Sequence, residues 1–280
     1  MNVLSLFDGI SCGQIALSRA GFSPELYFAS ELDKAAMQVT QYNYPTTHQL
    51  GDVKNVTGSG LPPVSLLIGG SPCQGFSSLG KNLNFNDHRS ALFFEYVRLL
   101  DYTKPSYFLL ENVPMKKQFR DVISGYLGVE PIMINSNLVS AQNRKRWYWT
   151  NIPIDGLPLD RNILLDMVID HTYNNYTIPK NWKNRVPLNF PRYVDPYNKK
   201  EIRDKSTTLR TNVNSGNMWI RVPNGYRNLS RHETEKLQTV PLGYTSIISE
   251  HKAKQCLGNG WTVDVISHIF SGIQKVNIKN

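Results

Sequence analysis

Short apolar runs alternate with helical patterns through the first 150 residues. The runs "NVLSLF", "ELYFAS", "SLLIGG" and "SYFLLEN" predict buried strands. Helices are predicted from Cys12 to Ala20, from about Asp33 to Asn43, and within "SALFFEYVRLL", whose apolar residues share one helical face. Repeated strand–helix units of this length predict an α/β fold, with a parallel sheet and helices on both faces.

The pattern breaks between residues 155 and 229, where prolines, asparagines and tyrosines recur and helical periodicity is absent. We expect a small irregular or β-rich insertion here. The α/β pattern then resumes with a capping box, Ser230 followed by Glu233, and with the amphipathic run "TVDVISHIFSGI". The predicted domains are therefore 1–154 together with 230–280, and the insertion 155–229.

Positive charge is concentrated in the insertion. Residues 172 to 230 carry 11 Lys and Arg against 3 Asp and Glu, which is +8 of the formal net charge of +9. A basic block of this kind is typical of a polyanion-binding surface. A solvated surface without a partner is the alternative that charge alone leaves open.

Cysteine usage and hydropathy exclude several classes. The three cysteines are widely spaced and form no CxxC pair, so neither a disulfide framework nor a metal site is expected. The N-terminal "MNVLSLFDG" is not typical of a signal peptide, and no apolar run approaches the length of a membrane span. We expect a cytoplasmic protein of a reducing compartment that has no membrane partner.

A first candidate site follows the first two predicted strands. Gly9 could let the backbone approach a ligand closely, and Phe7 could offer an aromatic face. Glu31 ends the second strand 22 residues after Gly9, a placement that suits the hydroxyls of a ribose. Asp52 adds a second acid in the next strand-end loop, and no P-loop is present. These residues favour an adenosyl cofactor.

A second candidate site combines a thiol, an acid and two guanidinium groups. Cys73 follows the strand "SLLIGG", Glu111 ends "SYFLLEN", and Arg144 and Arg146 precede another apolar run. Basic neighbours would lower the pKa of a nucleophilic thiol. Each residue also has a purely structural explanation: a packing cysteine, a turn-capping acid, or arginines that pair with surface acids.

The order of these motifs resembles one enzyme family. "FDGISCG", "SELD", "GDV", "GGSPCQ", "ENV", "QNRKR", "RHETEKLQ" and "LGNGW" are similar to the motif series of the DNA (cytosine-5) methyltransferases. The PCQ and QNRKR motifs are more like bacterial and phage modification enzymes, whereas "LFDGISCG" is more like the animal de novo methyltransferases. The resemblance implies a Rossmann-like S-adenosylmethionine-dependent methyltransferase fold with a small target recognition domain.

The resemblance also implies catalytic roles. Cys73 would add to carbon 6 of a cytosine flipped out of the duplex, and Glu111 would contact ring nitrogen 3 and the exocyclic amine. Arg146, with Arg144, would hold the carbonyl of the base and a nearby phosphate. Asn112 would support the pocket. The loop 74–89 would close over the base.

Binding residues follow from the same resemblance. Those expected to hold S-adenosyl-L-methionine, and its product S-adenosyl-L-homocysteine, are Phe7, Asp8, Gly9, Ile10, Cys12, Glu31, Leu32, Asp52, Val53, Leu92, Asn259, Gly260 and Trp261. Those expected to contact double-stranded DNA are Gln74, Ser77, Arg89, Lys199, Lys200, Thr208, Leu209 and Arg210. The expected assembly is a monomer in a bacterial or phage-infected cell, with a cognate restriction nuclease as a candidate partner.

Two alternatives remain open. Some relatives methylate tRNA, and the short insertion permits that substrate. A non-catalytic DNA-binding protein on a methyltransferase scaffold is the other reading, and the intact Cys73, Glu111, Arg146 and Asn259 argue against it. The recognised bases are not readable, because the insertion offers too many Arg, Lys, Asn and Gln side chains.

Overall fold

The computed structural model describes residues 1–71, 91–173, 192–196, 198, 200–212, 217–223 and 225–277. The described residues form two compact units. The first unit draws on Met1–Ile134, Lys145–Leu157 and Ile266–Asn280, and the second on Asn135–Arg144 and Pro158–Val265. Each unit has its own sheet. No described helix is both long and apolar enough to cross a lipid bilayer.

The first unit contains a seven-stranded sheet. Its strands are β1 (Asn2–Leu6), β2 (Leu26–Ser30), β3 (His48–Gln49), β4 (Leu66–Gly69), β5 (Tyr107–Asn112), β6 (Ile132–Asn135) and β7 (Lys145–Thr150). The helices between these strands are α1 (Cys12–Arg19), α2 (Lys34–Asn43), α3 (Ala91–Thr103) and α4 (Lys117–Leu127). The strand order is β3-β2-β1-β4-β5-β7-β6.

The sheet is mostly parallel, as predicted. β1 pairs in parallel with both β2 and β4, β2 with β3, and β4 with β5. β7 runs antiparallel to β5. The carboxyl ends of the first five strands therefore meet at one edge, where α/β sheets bind their ligands.

The strands are apolar because neighbours cover them. Val3, Leu4 and Leu6 of β1 are fully buried, which is why the run lacks the alternation of a half-exposed strand. At the end of β4, a Cβ on Gly69 would lie 3.1 Å from the Leu6 carbonyl oxygen and 3.1 Å from the Tyr96 ring. Glycine therefore lets α3 pack closely against this strand end.

The described part of the second unit is β-rich, as expected. Its four-stranded sheet contains β8 (Tyr193–Asp195), β9 (Lys200–Ile202), β10 (Trp219–Val222) and β11 (Gly225–Asn228), in the order β11-β10-β8-β9. Each pairing is antiparallel. Three helices follow along the chain: α5 (Arg231–Leu237), α6 (Glu250–Asn259) and α7 (Val263–Asn277). Most of α7 belongs to the first unit.

The compact units do not coincide with the predicted domain segments. Residues 135–144 and 230–265 belong to the second unit rather than to the first. The reason is packing: Leu237 of α5 and Ala141 share one buried cluster with Leu209 and Met218. Apolar periodicity locates these helices, but it does not say which core they join. The domain division itself stays a prediction.

Candidate active site

The first loop at the sheet edge has an unusual backbone. Between β1 and α1, Phe7, Gly9 and Ser11 all have positive φ, at 57°, 60° and 56°. This region is uncommon for residues other than glycine. The conformation turns the chain sharply out of β1 and directs the Gly9 amide toward the end of β2.

Glu31, at the end of β2, holds that loop. Its Oε2 accepts a hydrogen bond from the Gly9 amide at 2.7 Å, and its Oε1 accepts from the amides of Leu32 and Asp33 at 2.7 and 2.8 Å. A carboxylate oxygen can accept more than one hydrogen bond, so Oε2 retains capacity for a hydroxyl donor. Leu32 beside it is 66% exposed, an apolar surface at the edge of the site.

Asp8 organises the same loop from inside. Its carboxylate accepts hydrogen bonds from the hydroxyls of Ser5 at 2.6 Å and Tyr27 at 2.8 Å, and from that of Ser11. Burial raises the pKa of Asp8 to about 6, although the hydroxyls of Ser11, Ser5 and Tyr27 oppose the rise. This arrangement favours a positioning role for Asp8.

The other predicted cofactor residues of the first unit differ in burial and in the strand that they follow. Ile10, Cys12 and Val53 are buried, and Leu92 is partly buried. Asp52 follows β3 and accepts a hydrogen bond from the Lys54 amide at 3.0 Å. Phe7, Glu31 and Asp52 therefore follow three adjacent parallel strands at the same edge.

Glu111 and Arg146 form an ion pair at the end of β5. Arg146 Nε lies 2.7 Å from Glu111 Oε1, and each side chain is 11% exposed. The pairing follows from register: Glu111 faces Tyr148 across the antiparallel β5–β7 pair. Arg146, two residues before Tyr148, is its diagonal neighbour on the same face. A nearly buried carboxylate is thus fixed and charge-compensated.

Asn112 ties β5 to the segment that follows β4. Its Nδ2 donates to the carbonyl and hydroxyl oxygens of Ser71 at 3.3 and 3.2 Å, and its Oδ1 accepts from the Val113 amide. Both Asn112 and Ser71 are buried. The bonds fix the backbone two residues before Cys73, which lies outside the described residues.

Two of the predicted residues of the second unit, Arg144 and Thr208, donate hydrogen bonds to backbone carbonyls. The Arg144 guanidinium donates to the carbonyls of Leu209, Gly258 and Gly260 at 3.1, 3.2 and 2.9 Å. Thr208 donates its hydroxyl to the Asn143 carbonyl at 2.6 Å. Leu209 is buried, whereas Lys200 and Arg210 are exposed.

The comparisons with known proteins show the family of this chain. A model of the C-5 cytosine-specific DNA methylases matches residues 1–156 and 160–275. The chain belongs to this family. The sequence-based recognition of a DNA (cytosine-5) methyltransferase is therefore confirmed.

Curated relatives of this methylase-family chain come from phages and bacteria. The orphan methyltransferase M.SPRI of Bacillus phage SPR is 36% identical over 55% of this chain and 38% of its own length. The type II methyltransferase M.NgoBV of Neisseria gonorrhoeae is 30% identical over 72% of this chain and 49% of its own length. The chain thus spans about a third to a half of the length of the curated relatives that it matches.

Solved structures share the methylase fold over almost the entire chain. The Entamoeba histolytica methyltransferase EhMeth aligns with a TM-score of 0.72 at 18% identity, covering 99% of this chain and 98% of that one. A DNMT2 mutant from Spodoptera frugiperda aligns at 0.68 with 20% identity, covering 98% and 99%. At these identities the likeness is one of fold.

The structure of this methylase-family chain brings some predicted residues together. It unites Glu111, Arg146 and Asn112 at one strand end, and Asp8, Gly9 and Glu31 at another. Asn259, Gly260 and Trp261 lie in the second unit. The predicted residues Cys73, Gln74, Ser77, Arg89 and Lys199 lie outside the described part of the chain.

Sequence reasoning missed several polar residues that build the site. Ser71, the partner of Asn112, and Ser5, Ser11 and Tyr27, the partners of Asp8, carried no prediction. Gln142 and Gln238 stand inside quoted motifs but were given no role. Because all six side chains are polar and their hydrogen-bonding atoms face protein rather than water, such burial becomes visible only once the chain is folded. Of the described residues, none form a cluster of three or more His, Cys, Asp or Glu able to hold a metal ion.

Proposed function

We propose that this protein transfers a methyl group from S-adenosyl-L-methionine to carbon 5 of cytosine in double-stranded DNA. The observation that carries the proposal is the Glu111–Arg146 ion pair beside the Asn112–Ser71 contact. The pair supplies a fixed carboxylate and a guanidinium, and Asn112 holds Ser71, two residues before Cys73 in the sequence. Membership of the C-5 cytosine-specific DNA methylase family supports the same conclusion.

The residues at the ends of β1, β2 and β3 fit the methyl donor. Glu31 has acceptor capacity for ribose hydroxyls, and Leu32 offers an exposed apolar surface for an adenine ring. Asp52 could accept from the adenine amino group. When bound, S-adenosylmethionine supplies an electrophilic methyl group. The assignment of Asn259, Gly260 and Trp261 to the same ligand stays a prediction from the sequence.

The proposed chemistry assigns each catalytic residue one task. The Cys73 thiolate attacks carbon 6 and forms a carbon–sulfur bond, which makes carbon 5 nucleophilic. Glu111 contacts ring nitrogen 3 and the exocyclic amine and balances the charge that develops there. Arg146 holds the carbonyl of the base. After methylation, loss of the carbon 5 proton and of the thiolate restores the ring double bond. Because a stacked cytosine is out of reach, the base is flipped out.

The names and organisms of the matched relatives suggest a biological role. The matched phage relatives are named orphan methyltransferases and the matched Neisseria relatives type II methyltransferases. We propose a modification role inside a bacterial or phage-infected cell. A cognate nuclease and a monomeric state remain predictions from the sequence.

Transfer of a labelled methyl group tests the function directly. Purified protein is incubated with labelled S-adenosylmethionine and either plasmid DNA or bulk tRNA. Label should enter DNA as 5-methylcytosine and stay out of tRNA. Label in tRNA alone would replace DNA with RNA as the substrate. Sequence-specific DNA binding without label transfer would identify a non-catalytic binding protein.

A further inference from the structure

The motif "QNRKR" divides between two environments. Arg146 lies in β7 and pairs with Glu111, both in the first unit. Gln142 and Arg144 belong to the second unit and are 0% and 4% exposed. A buried glutamine and a buried guanidinium each need several hydrogen-bond partners, because an unpaired buried polar group is costly. The identity of those partners indicates what the first half of the motif does.

The backbone around Gln142 is hydrogen-bonded to residues 206–208. Ser206 donates its amide to the Ala141 carbonyl at 2.7 Å, and Asn143 donates its amide to the Ser206 carbonyl at 2.9 Å. These bonds form a parallel bridge between Gln142 and Ser206. The Thr208 hydroxyl then donates to the Asn143 carbonyl at 2.6 Å. The first half of the motif is thereby aligned with "STTLRTN", residues 206–212.

The Gln142 side chain extends this contact in two directions. Its Oε1 accepts the Leu209 amide at 2.9 Å. Its Nε2 donates to the Leu237 carbonyl at 2.9 Å and to Gln238 Oε1 at 3.1 Å. One carboxamide therefore links the end of α5 to Leu209.

Arg144 completes the enclosure of Leu209. Its Nη1 donates to the Leu209 carbonyl at 3.1 Å, so that Gln142 and Arg144 hold the amide and the carbonyl of one residue. Its Nη2 donates to the carbonyls of Gly258 and Gly260 at 3.2 and 2.9 Å. A planar guanidinium fork can reach carbonyls in two separate segments at once, and an ammonium cannot reproduce that geometry.

Direct packing accompanies these hydrogen bonds. A Cβ added to Gly258 would lie 2.7 Å from the carbonyl carbon and oxygen of Arg210. Glycine at this position lets α6 pack against the backbone of Arg210 and Thr211. The element is thus fixed on one side by the motif and on another by the helix end.

We propose that Gln142 and Arg144 are positioning residues for DNA recognition, which hold the Thr208–Leu209–Arg210 backbone in place and do not touch the target base. The inference rests on the proposed function, in which residues 208–210 contact DNA. It assigns the two halves of "QNRKR" different tasks: Gln142 and Arg144 set the recognition element, and Arg146 acts on the base. For Arg144 this replaces the role implied by the family resemblance, in which it holds the base together with Arg146, because its guanidinium donates to the carbonyls of Leu209, Gly258 and Gly260.

Arg144→Lys tests this division, with Arg146→Lys as the contrast. Arg144→Lys should raise the KM for DNA by about tenfold or more and relax the methylated sequence, because the recognition element loses a fixed backbone. Its kcat at saturating DNA and its affinity for S-adenosylhomocysteine should stay within about threefold of the wild type. Arg146→Lys should lower kcat with little change in the methylated sequence.

Arg227→Lys is the matched control for lost stability. Arg227 is also a buried guanidinium of the second unit, but it pairs with Glu233 at 2.7 Å, and its other hydrogen bonds go to the carbonyls of Asn228 and Asp170. It should lower Tm without changing the KM for DNA or the methylated sequence. If Arg144→Lys does not fold, Gln142→Glu is used as the test variant. Its carboxylate is nearly isosteric with the carboxamide but repels the Leu237 carbonyl, to which Gln142 donates. It should likewise raise the KM for DNA and leave kcat nearly unchanged.

Two results would overturn the inference. A fall in kcat for Arg144→Lys with unchanged KM for DNA would make Arg144 a substrate contact. If Arg144→Lys lowered Tm but left KM, kcat and sequence choice unchanged, as expected for Arg227→Lys, Arg144 would be a purely structural residue. If the wild-type protein methylated no DNA, the proposed function itself would be overturned. The wild-type measurement therefore separates this failure from a failure of the inference.

Discussion

Arg146 Nε lies 2.7 Å from Glu111 Oε1, and the two side chains are equally shielded from water. The pair joins neighbouring antiparallel strands at the edge where the parallel strands end. It gives Glu111 a fixed orientation and balances its charge before any base arrives. Such preorganisation is the main way in which enzyme sites stabilise developing charge.

Replacing Glu111 by Gln should reduce kcat by about 10²- to 10³-fold, the range for losing one group that stabilises charge developing in the transition state. Steady-state methylation of plasmid DNA measures it. The control is Asp121→Asn, which removes an exposed carboxylate paired with Lys117 on α4. A turnover as high in the Gln variant as in the control would show that Glu111 is not part of the chemistry.

Replacing Cys73 by Ser should abolish turnover, because a serine hydroxyl is a far weaker nucleophile than a thiolate. DNA that carries 5-fluorocytosine cannot lose the carbon 5 substituent as a proton, so the wild type should remain covalently attached. Denaturing gel electrophoresis detects the adduct. Cys256→Ser is the matched control and should retain the adduct; an adduct with the Cys73 variant would point to another nucleophile.

Replacing Glu31 by Gln should weaken the binding of S-adenosylhomocysteine by about 1–3 kcal/mol, the effect of disturbing hydrogen bonds at a partly buried group. The carboxamide keeps the size of the side chain but replaces one acceptor of backbone amides by a donor. Calorimetric titration measures the affinity. Glu25→Gln, before β2, is the control. Equal affinities in the two variants would place the ligand elsewhere.

Asp8 should make the free energy of unfolding depend on pH. Its pKa is raised to about 6 in the folded protein, mainly by burial, from the ordinary aspartate value of 3.8. Between these values the folded state binds more protons than the unfolded state, so stability should fall as pH rises from about 4 to about 6. Two pKa units correspond to at most about 3 kcal/mol.

Denaturant unfolding of wild type and Asp8→Asn across that pH range checks the sign. The Asn variant lacks the titrating group, so the wild type should lose stability relative to it as pH rises. The neighbouring Glu31, Tyr27, Tyr44 and Cys12 are common to both proteins. If the difference in the free energy of unfolding between the two proteins stayed constant with pH, or changed in the opposite direction, the raised pKa of Asp8 would be contradicted.

Lys199 and Lys200, predicted to contact phosphates, should contribute to the salt dependence of DNA binding. Each phosphate contact adds about 0.9 to the slope of log affinity against log salt, so replacing both by Ala should flatten it by up to about 2. The methylated sequence should not change, because phosphate contacts position rather than specify.

Fluorescence anisotropy over a salt series measures the slope, and bisulfite sequencing reads the sequence choice. Lys34→Ala with Lys252→Ala removes the same charge from exposed positions elsewhere. If both double variants flattened the slope equally, net charge rather than local contact would explain it.

The sequence alone predicted four strands and three helices of the first unit and the candidate residues at the strand ends. Strands β1, β2, β4 and β5 are continuous apolar runs because parallel strands are covered on both faces, and that property is local. The positions of Glu31 and Glu111 at strand ends followed from the same pattern. The motif order was specific enough to indicate the family that the comparisons then confirmed.

Only the tertiary structure decided which polar groups meet. β7 enters between β5 and β6 and runs antiparallel to β5, and this register brings Arg146 to Glu111. Arg144, two residues earlier, contacts backbone carbonyls 65 to 116 residues away along the chain. The partners of Arg146 and Arg144 could not be predicted from the spacing of the motif, because contacts between distant segments depend on strand order and core packing. The separate tasks that we propose for the two arginines therefore follow from the fold and not from the motif.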